Sequence, residues 1–150
     1  MPSTPHEFCV SSIVSEIDSQ LGQHRTVENS PNRVFSTNIQ PSGSVDLELL
    51  PDDDGNINKH TPDGSFWHSQ AKWPGVVVEV TFSKSLKKLD RVAWDYIGGS
   101  NGGIQVVIGL NLAYKGKGAS VFVWRVQITT GEDGIDDFDC VRTVAQVPWL

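Results

Sequence analysis

The sequence predicts a mixed α/β domain, and three observations carry that reading. An amphipathic helical repeat opens the chain, an apolar run "VVVEVTF" follows Pro74-Gly75, and a second helical repeat separates that run from two more strand-like segments. A strand that reaches its next neighbour through a helix needs a parallel crossover, so the core is expected to be a mixed sheet with helices. At 150 residues the chain has the usual size of one domain. One unit over 1–150 is expected, with its core spanning about 6–128.

The elements follow in order. In "STPHEFCVSSIVSEIDSQLG", Thr4 suits an N-cap, Pro5 the first helical position and Glu7 the third position of a capping box. Val10, Ile13, Val14, Ile17 and Leu21 then fall on one helix face, with Gly22 as the expected stop. The next stretch reads as loop with a short strand at Val34–Thr37, and "SVDLELL" as a strand with alternating apolar positions. "PDDDGNINKHTPDG" is a polar turn region, "DGSFWH" a short strand, and "VVVEVTF" the central buried one. Over 85–97, Leu86, Leu89, Ala93, Tyr96 and Ile97 share a helical face, with Ser83 or Ser85 as cap and "GGSNGG" ending the helix. "IQVVIGLNLAY", the turn "KGKG" and "ASVFVWRVQI" read as a β-hairpin or neighbouring strands. The remainder reads mostly as loop, with a short strand at Cys140–Val144.

The formal charge of −6 excludes a surface that is basic throughout, the usual footprint of a nucleic-acid binder, so any such binding must be local or metal-assisted. Positive charge gathers in "SKSLKKLDR", at Lys84, Lys87, Lys88 and Arg91. Cys9 and Cys140 lie near opposite ends without metal-ligand spacing, which points to free thiols in a reducing compartment. The N-terminal segment lacks a basic leader followed by an apolar block, and no apolar run approaches the ~20 residues that span a bilayer. An intracellular protein of the cytoplasm or nucleus, with no membrane partner, is the expectation.

Glu79 stands at the centre of an apolar strand, where burial disfavours the ionised form. Alternation puts Val77, Glu79 and Thr81 on one face and Val76, Val78 and Val80 on the other. Asp63 opens the preceding strand, where hairpin pairing would bring it beside Glu79. Two acidic groups at one end of a sheet repel each other unless a cation joins them, and their oxygens suit Mg²⁺ or Mn²⁺. Alone, Glu79 reads as a strand-end carboxylate, solvated or paired with Lys84, and Asp63 as a turn residue.

The motifs "PDGSF", "PGVVVEVTFSKS" and "VVIGLNLAY", in this order and with the flanking helices, resemble the PD-(D/E)xK nuclease superfamily. The likeness is to its Uma2-like branch, which includes uncharacterised fungal proteins, and it covers roughly Ser44 to Arg125. The resemblance implies a restriction-endonuclease-like core and metal-dependent hydrolysis of phosphodiester bonds in a nucleic acid, with DNA favoured. It implies Asp63 and Glu79 as metal ligands, with Mg²⁺ or Mn²⁺ as cofactor, and a catalytic lysine. The slot two residues after the glutamate holds Thr81, so Lys84, Lys87 and Lys88 are the candidates for the lysine role, Lys84 first and then Lys87. Glu16 matches the acidic residue that the superfamily sometimes carries on its first helix. Nucleases that cut both strands commonly act as dimers, so the resemblance allows a homodimer, although no dimer surface is legible.

The competing reading is a catalytically degenerate nuclease-fold protein that serves as a binding or interaction module, favoured by Thr81 and by the acidic balance. An all-β sandwich that binds carbohydrate through tryptophans is opposed by the two amphipathic helices. "GGSNGG" lacks the G-K-[ST] ending of a phosphate loop, and "DDDGNIN" lacks the glycine position and bidentate glutamate of a calcium loop. His24, His60 and His68 show no metal spacing; His68 could approach Asp63, with partial exposure the plainer reading. Trp67, Trp73, Trp94 and Trp124 read as core or cleft walls.

Overall fold

The structure, a computed structural model, describes residues 4–82, 84–112 and 119–149, and over 144–149 the backbone path alone. Ser83 as a cap and the 115–118 turn lie outside the described residues. The protein is mixed α/β, built on a six-stranded sheet of order β1-β4-β5-β6-β7-β8. Its strands are β1 (Ile39–Pro41), β4 (Gly64–His68), β5 (Val76–Phe82), β6 (Val106–Leu112), β7 (Ala119–Thr130) and β8 (Asp136–Trp149). Strands β2 (Leu47–Leu49) and β3 (Asn58–His60) form a separate antiparallel pair. Among the described residues of the large sheet only β5 and β6 run parallel, joined by helix α3 (Leu86–Gly99), as the strand–helix–strand order requires.

The two sheet faces are covered differently. Helix α3 packs over one, burying Leu89, Ala93, Tyr96 and Ile97 against Val77, Val107, Phe122 and Trp124, with Leu47 and Leu49 of β2 closing the layer. Asp90 fastens α3 to the far strands by accepting from Trp124 Nε1 at 2.7 Å and from Arg142 Nη1 at 3.3 Å. Helix α1 (Pro5–Thr26) lies on the other face, where Val10 and Ile13 pack on Val78, Val80 and Leu110. Its capping box is formed as expected: Thr4 Oγ1 accepts from the Glu7 N–H, and Glu7 Oε2 accepts from the Thr4 N–H.

Three local expectations are corrected. Helix α1 passes through Gly22 and ends at Thr26, because Arg25 anchors its last turn by donating to the carbonyls of Ser36 (2.8 Å) and Ile39 (2.6 Å). The strand expected at Val34–Thr37 is instead the short helix α2 (Arg33–Thr37). Ser36 Oγ donates to Asn32 O, Thr37 Oγ1 to Arg33 O and Asn38 Nδ2 to Val34 O, local bonds that outweigh the strand preference of Val34 and Phe35. The largest departure is β8, which pairs with β7 from Thr130↔Asp136 to Ala119↔Trp149 where mostly loop was expected. Its aspartates are poor strand formers, but a full ladder on a long neighbour and the packing of Phe138 and Cys140 on the core override that preference. The sheet therefore continues past residue 128.

Asn101 and Gly102, both at positive φ, turn the chain out of α3, so "GGSNGG" acts as helix end and turn, with Gly98 and Gly99 still helical. Both cysteines are free, and no helix among the described residues is long and apolar enough to cross a membrane.

Gly109 leaves space for Trp124: a Cβ there would come within 2.7 Å of the indole Cζ3. Gly109→Ala should overpack this layer, lowering Tm in calorimetry by roughly 2–10 °C, the equivalent of about 1–3 kcal/mol. An unchanged Tm would mean that the indole is not seated against β6.

Candidate active site

Glu79 sits midway along β5, between the apolar layers under α1 and α3. Its partner comes from α3. Tyr96, fully buried, donates its hydroxyl to Glu79 Oε1. Burial raises the Glu79 carboxyl from 4.5 to about 7; the Tyr96 hydrogen bond opposes that rise, Asp63 adds to it, and Lys84 and His6 lower it. The Tyr96 phenol is pushed far above its usual value, first by burial and then by the Glu79 charge. The ring of His60 lies 5.2 Å from that of Tyr96, and His60 Nε2 lies 3.5 Å from Asp95 on the next position of α3.

Asp63 reaches the same place from the hairpin. Gly64 pairs with Val78, so Asp63 stands opposite Glu79 one residue further on. The Asp63 N–H donates to Val78 O at 3.0 Å, and the Val80 N–H donates to Asp63 Oδ2 at 2.8 Å. The carboxylate thus receives a β5 donor that the end of β4 leaves without a ladder partner. Its other oxygen faces His6 on the first turn of α1: His6 Nε2 lies 3.3 Å from Asp63 Oδ1 and 3.0 Å from Val80 O. Both neighbours are acceptors, so Nε2 carries the ring proton.

The residue two positions after Glu79 has another task. Thr81 is buried, and its hydroxyl faces Asn111 Oδ1 at 3.3 Å and Leu110 O at 3.4 Å on β6. Asn111 in turn holds the main chain of Lys84, accepting its N–H at 3.0 Å and donating to its carbonyl at 2.8 Å. These two hydrogen bonds between an amide side chain and the turn hold the Lys84 backbone just past the end of β5, and Lys84 is the lysine whose charge bears on Glu79. Lys87 and Lys88 are exposed on the first turns of α3, where Ser85 caps the helix.

Of the residues singled out from sequence, the structure sets Asp63 opposite Glu79 and lets the charge of Lys84 bear on Glu79, while the Thr81 hydroxyl turns to Leu110 and Asn111. Glu16 is elsewhere: it accepts from Gln20 on the exposed side of α1, about 15 Å along the axis from His6. His68 ends β4 at the opposite extremity from Asp63. Sequence reading missed His6, Tyr96 and Asn111. Tyr96 appeared only as a core position, and no spacing rule joins His6 to a strand 74 positions away.

Among the described residues no group of three or more His, Cys, Asp or Glu side chains gathers to hold a metal. The donor set fits a sparse site only: two adjacent carboxylates with hard oxygens, the kind that Mg²⁺ uses when waters and substrate phosphate complete its shell. No protein-family model matches the chain, and no curated protein matches it.

Glu79 also makes a prediction about pH. Its folded-state value is raised, so between about 4.5 and 7 the folded protein keeps a proton that the unfolded chain releases. The stabilising contribution is complete below 4.5 and is lost as pH rises through about 7. Glu79→Gln keeps an acceptor for Tyr96 and cannot ionise. Measured in EDTA by thermal unfolding, its stability relative to wild type should improve from pH 5 to pH 8, by at most about 3 kcal/mol. Tyr96→Phe removes the opposing bond, and the Glu79 carboxyl, followed by ¹³C NMR, should titrate above its wild-type midpoint; a lower midpoint would break the proposed pairing.

Proposed function

We propose that the chain is a Mg²⁺- or Mn²⁺-dependent nuclease with a restriction-endonuclease-like core, hydrolysing phosphodiester bonds in a nucleic acid, DNA foremost. The observation that carries this reading is the placing of Asp63 opposite Glu79 across β4 and β5, with the charge of Lys84 bearing on Glu79. The element order α1, β4, β5, α3, β6 supports the core that the sequence resembles. Lys84, Lys87, Lys88 and Arg91 are all exposed at the start of α3, which gives an acidic chain a local positive surface beside the site.

Bound by Asp63 and Glu79, a divalent cation would supply Lewis acidity to a phosphoryl oxygen and its bound water. The chain's own groups do the rest. The Val80 N–H and His6 hold Asp63 in place, and Tyr96 orients Glu79 through Oε1. Lys84, set by Asn111, offers a cation to a phosphate oxygen.

A second reading, a module without chemistry, draws on a specific observation. One oxygen of Glu79 already has a protein donor, Tyr96, both oxygens of Asp63 face one, the Val80 N–H and His6 Nε2, and the usual lysine slot is spent on Asn111. The two readings part in one assay: cleavage of plasmid and single-stranded DNA in Mn²⁺ by wild type, Glu79→Gln and Lys84→Ala, purified in parallel. The nuclease reading expects cleavage that EDTA abolishes, with each variant slower by about 10²-fold or more. Folded wild type that is as inert as Glu79→Gln would leave the module.

A further inference from the structure

A second feature of the sheet lies at the other end of β5, on the face opposite Glu79. The register aligns side chains there in two rows: Ile39 beside His68 across β1 and β4, and Phe66 beside Val76 and Val106 across β4, β5 and β6. Ile17 and Leu21 of α1 roof these rows, and Phe35 of α2 and Trp73 close the sides. The result is a cleft of about 360 Å³ whose lining is overwhelmingly apolar. That is within the range of about 300–1,000 Å³ typical of small-molecule sites.

One polar group in this wall has a defined role. The backbone N–H of Gln70 donates to His68 Nδ1 at 3.2 Å. A backbone N–H cannot accept, so Nδ1 is the acceptor and the ring proton sits on Nε2. The imidazole is held in this orientation by stacking on Phe35, with ring centroids 5.7 Å apart. Among the described residues no acceptor is paired with His68 Nε2, which is open to water, so the lining of an apolar cleft includes a fixed donor free to meet a ligand. Aromatic walls with one oriented donor select a flat apolar body bearing an acceptor, since a ligand without the acceptor leaves the donor unpaired.

We propose that this cleft binds a planar, apolar small molecule carrying a hydrogen-bond acceptor, such as an aromatic carboxylate, with His68 Nε2 as the donor that orients it. The site shares no residue with the Glu79 cluster and does not rest on the nuclease reading.

The probe is 2-naphthoate, titrated into the full chain and followed by amide shifts in ¹H–¹⁵N NMR spectra. Gly75 lines the cleft, and a Cβ there would meet nothing within 4 Å, so the side chain of Gly75→Leu starts in open space and is the variant chosen to fill the cleft. His68→Phe retains a ring to stack on Phe35 and removes only the donor. The expected result is saturable binding with shifts centred on Gly75, Gly103 and Gln105, lost in Gly75→Leu and weakened about tenfold or more in His68→Phe. 2-Naphthylmethylammonium, which has no acceptor, should bind about tenfold or more weakly, despite the protein's net negative charge. No binding of 2-naphthoate at millimolar concentration would overturn the proposal, as would equal affinity in folded Gly75→Leu or equal affinity for the ammonium. Self-association of wild type that Gly75→Leu abolishes, without naphthoate binding, would overturn it in favour of a second copy seated in the cleft.

Discussion

A carboxylate in the middle of a strand that is covered on both faces must be met by a donor from one of the layers covering it, or the strand cannot stay buried while the group is charged. In this protein the donor is the Tyr96 hydroxyl, and much of the architecture serves to bring it there. Helix α3 has to cross over between parallel β5 and β6, with Tyr96 on its inner face together with Leu89, Ala93 and Ile97. Gly109, the β6 partner of Glu79, leaves the room that the Trp124 ring occupies in the same layer, and Asp90 ties α3 to that ring and to β8. The interaction is mutual. Tyr96 limits how far burial raises Glu79, and Glu79 gives a buried phenol an acceptor.

Around that pair, two further segments close on the same part of β5. The capping box starts α1 at a defined residue, which puts His6 on its first turn against Asp63 and Val80 O. Asp63 in turn satisfies the Val80 N–H that the short strand β4 leaves over. Hydrogen bonds that look purely structural therefore also fix the geometry of the acidic pair. The same economy appears at Thr81, whose bond to Asn111 supports the clamp that sets Lys84 at the strand end. A lysine at position 81 would project from a buried slot; one supplied from the turn keeps its ammonium in water and still acts on Glu79.

The sheet presents different chemistry at its two ends. Near the C-terminal end of β5 charged and polar groups converge from α1, the β4 edge and the turn before α3. Near its N-terminal end the register lines up Phe66, Val76 and Val106 under α1, with His68 as a polar group at the edge. Strand alternation separates the two environments, since Glu79 points to the α3 side while Val76 faces α1.

Much was legible in the sequence where a signal is local. The capping box of α1, the apolar face of α3, the alternation of β5 and the need for a parallel crossover are all set by neighbours a few residues apart, because helix and strand periods act over that range. Asp63 and Glu79 were legible as a pair because hairpin register follows from adjacency along the chain. Where long-range pairing decides, the sequence misled: β8 carries aspartates that read as loop until β7 offers them a ladder, and α2 took its form from serine, threonine and asparagine side chains bonding back to its own carbonyls. The roles of His6, Tyr96 and Asn111 belong to the tertiary structure alone. By itself the sequence determined which residues could form the elements and where an acid would be trapped; only the packing of two helices and six strands decided which donors meet that acid, because such partners are chosen by distance in space rather than along the chain.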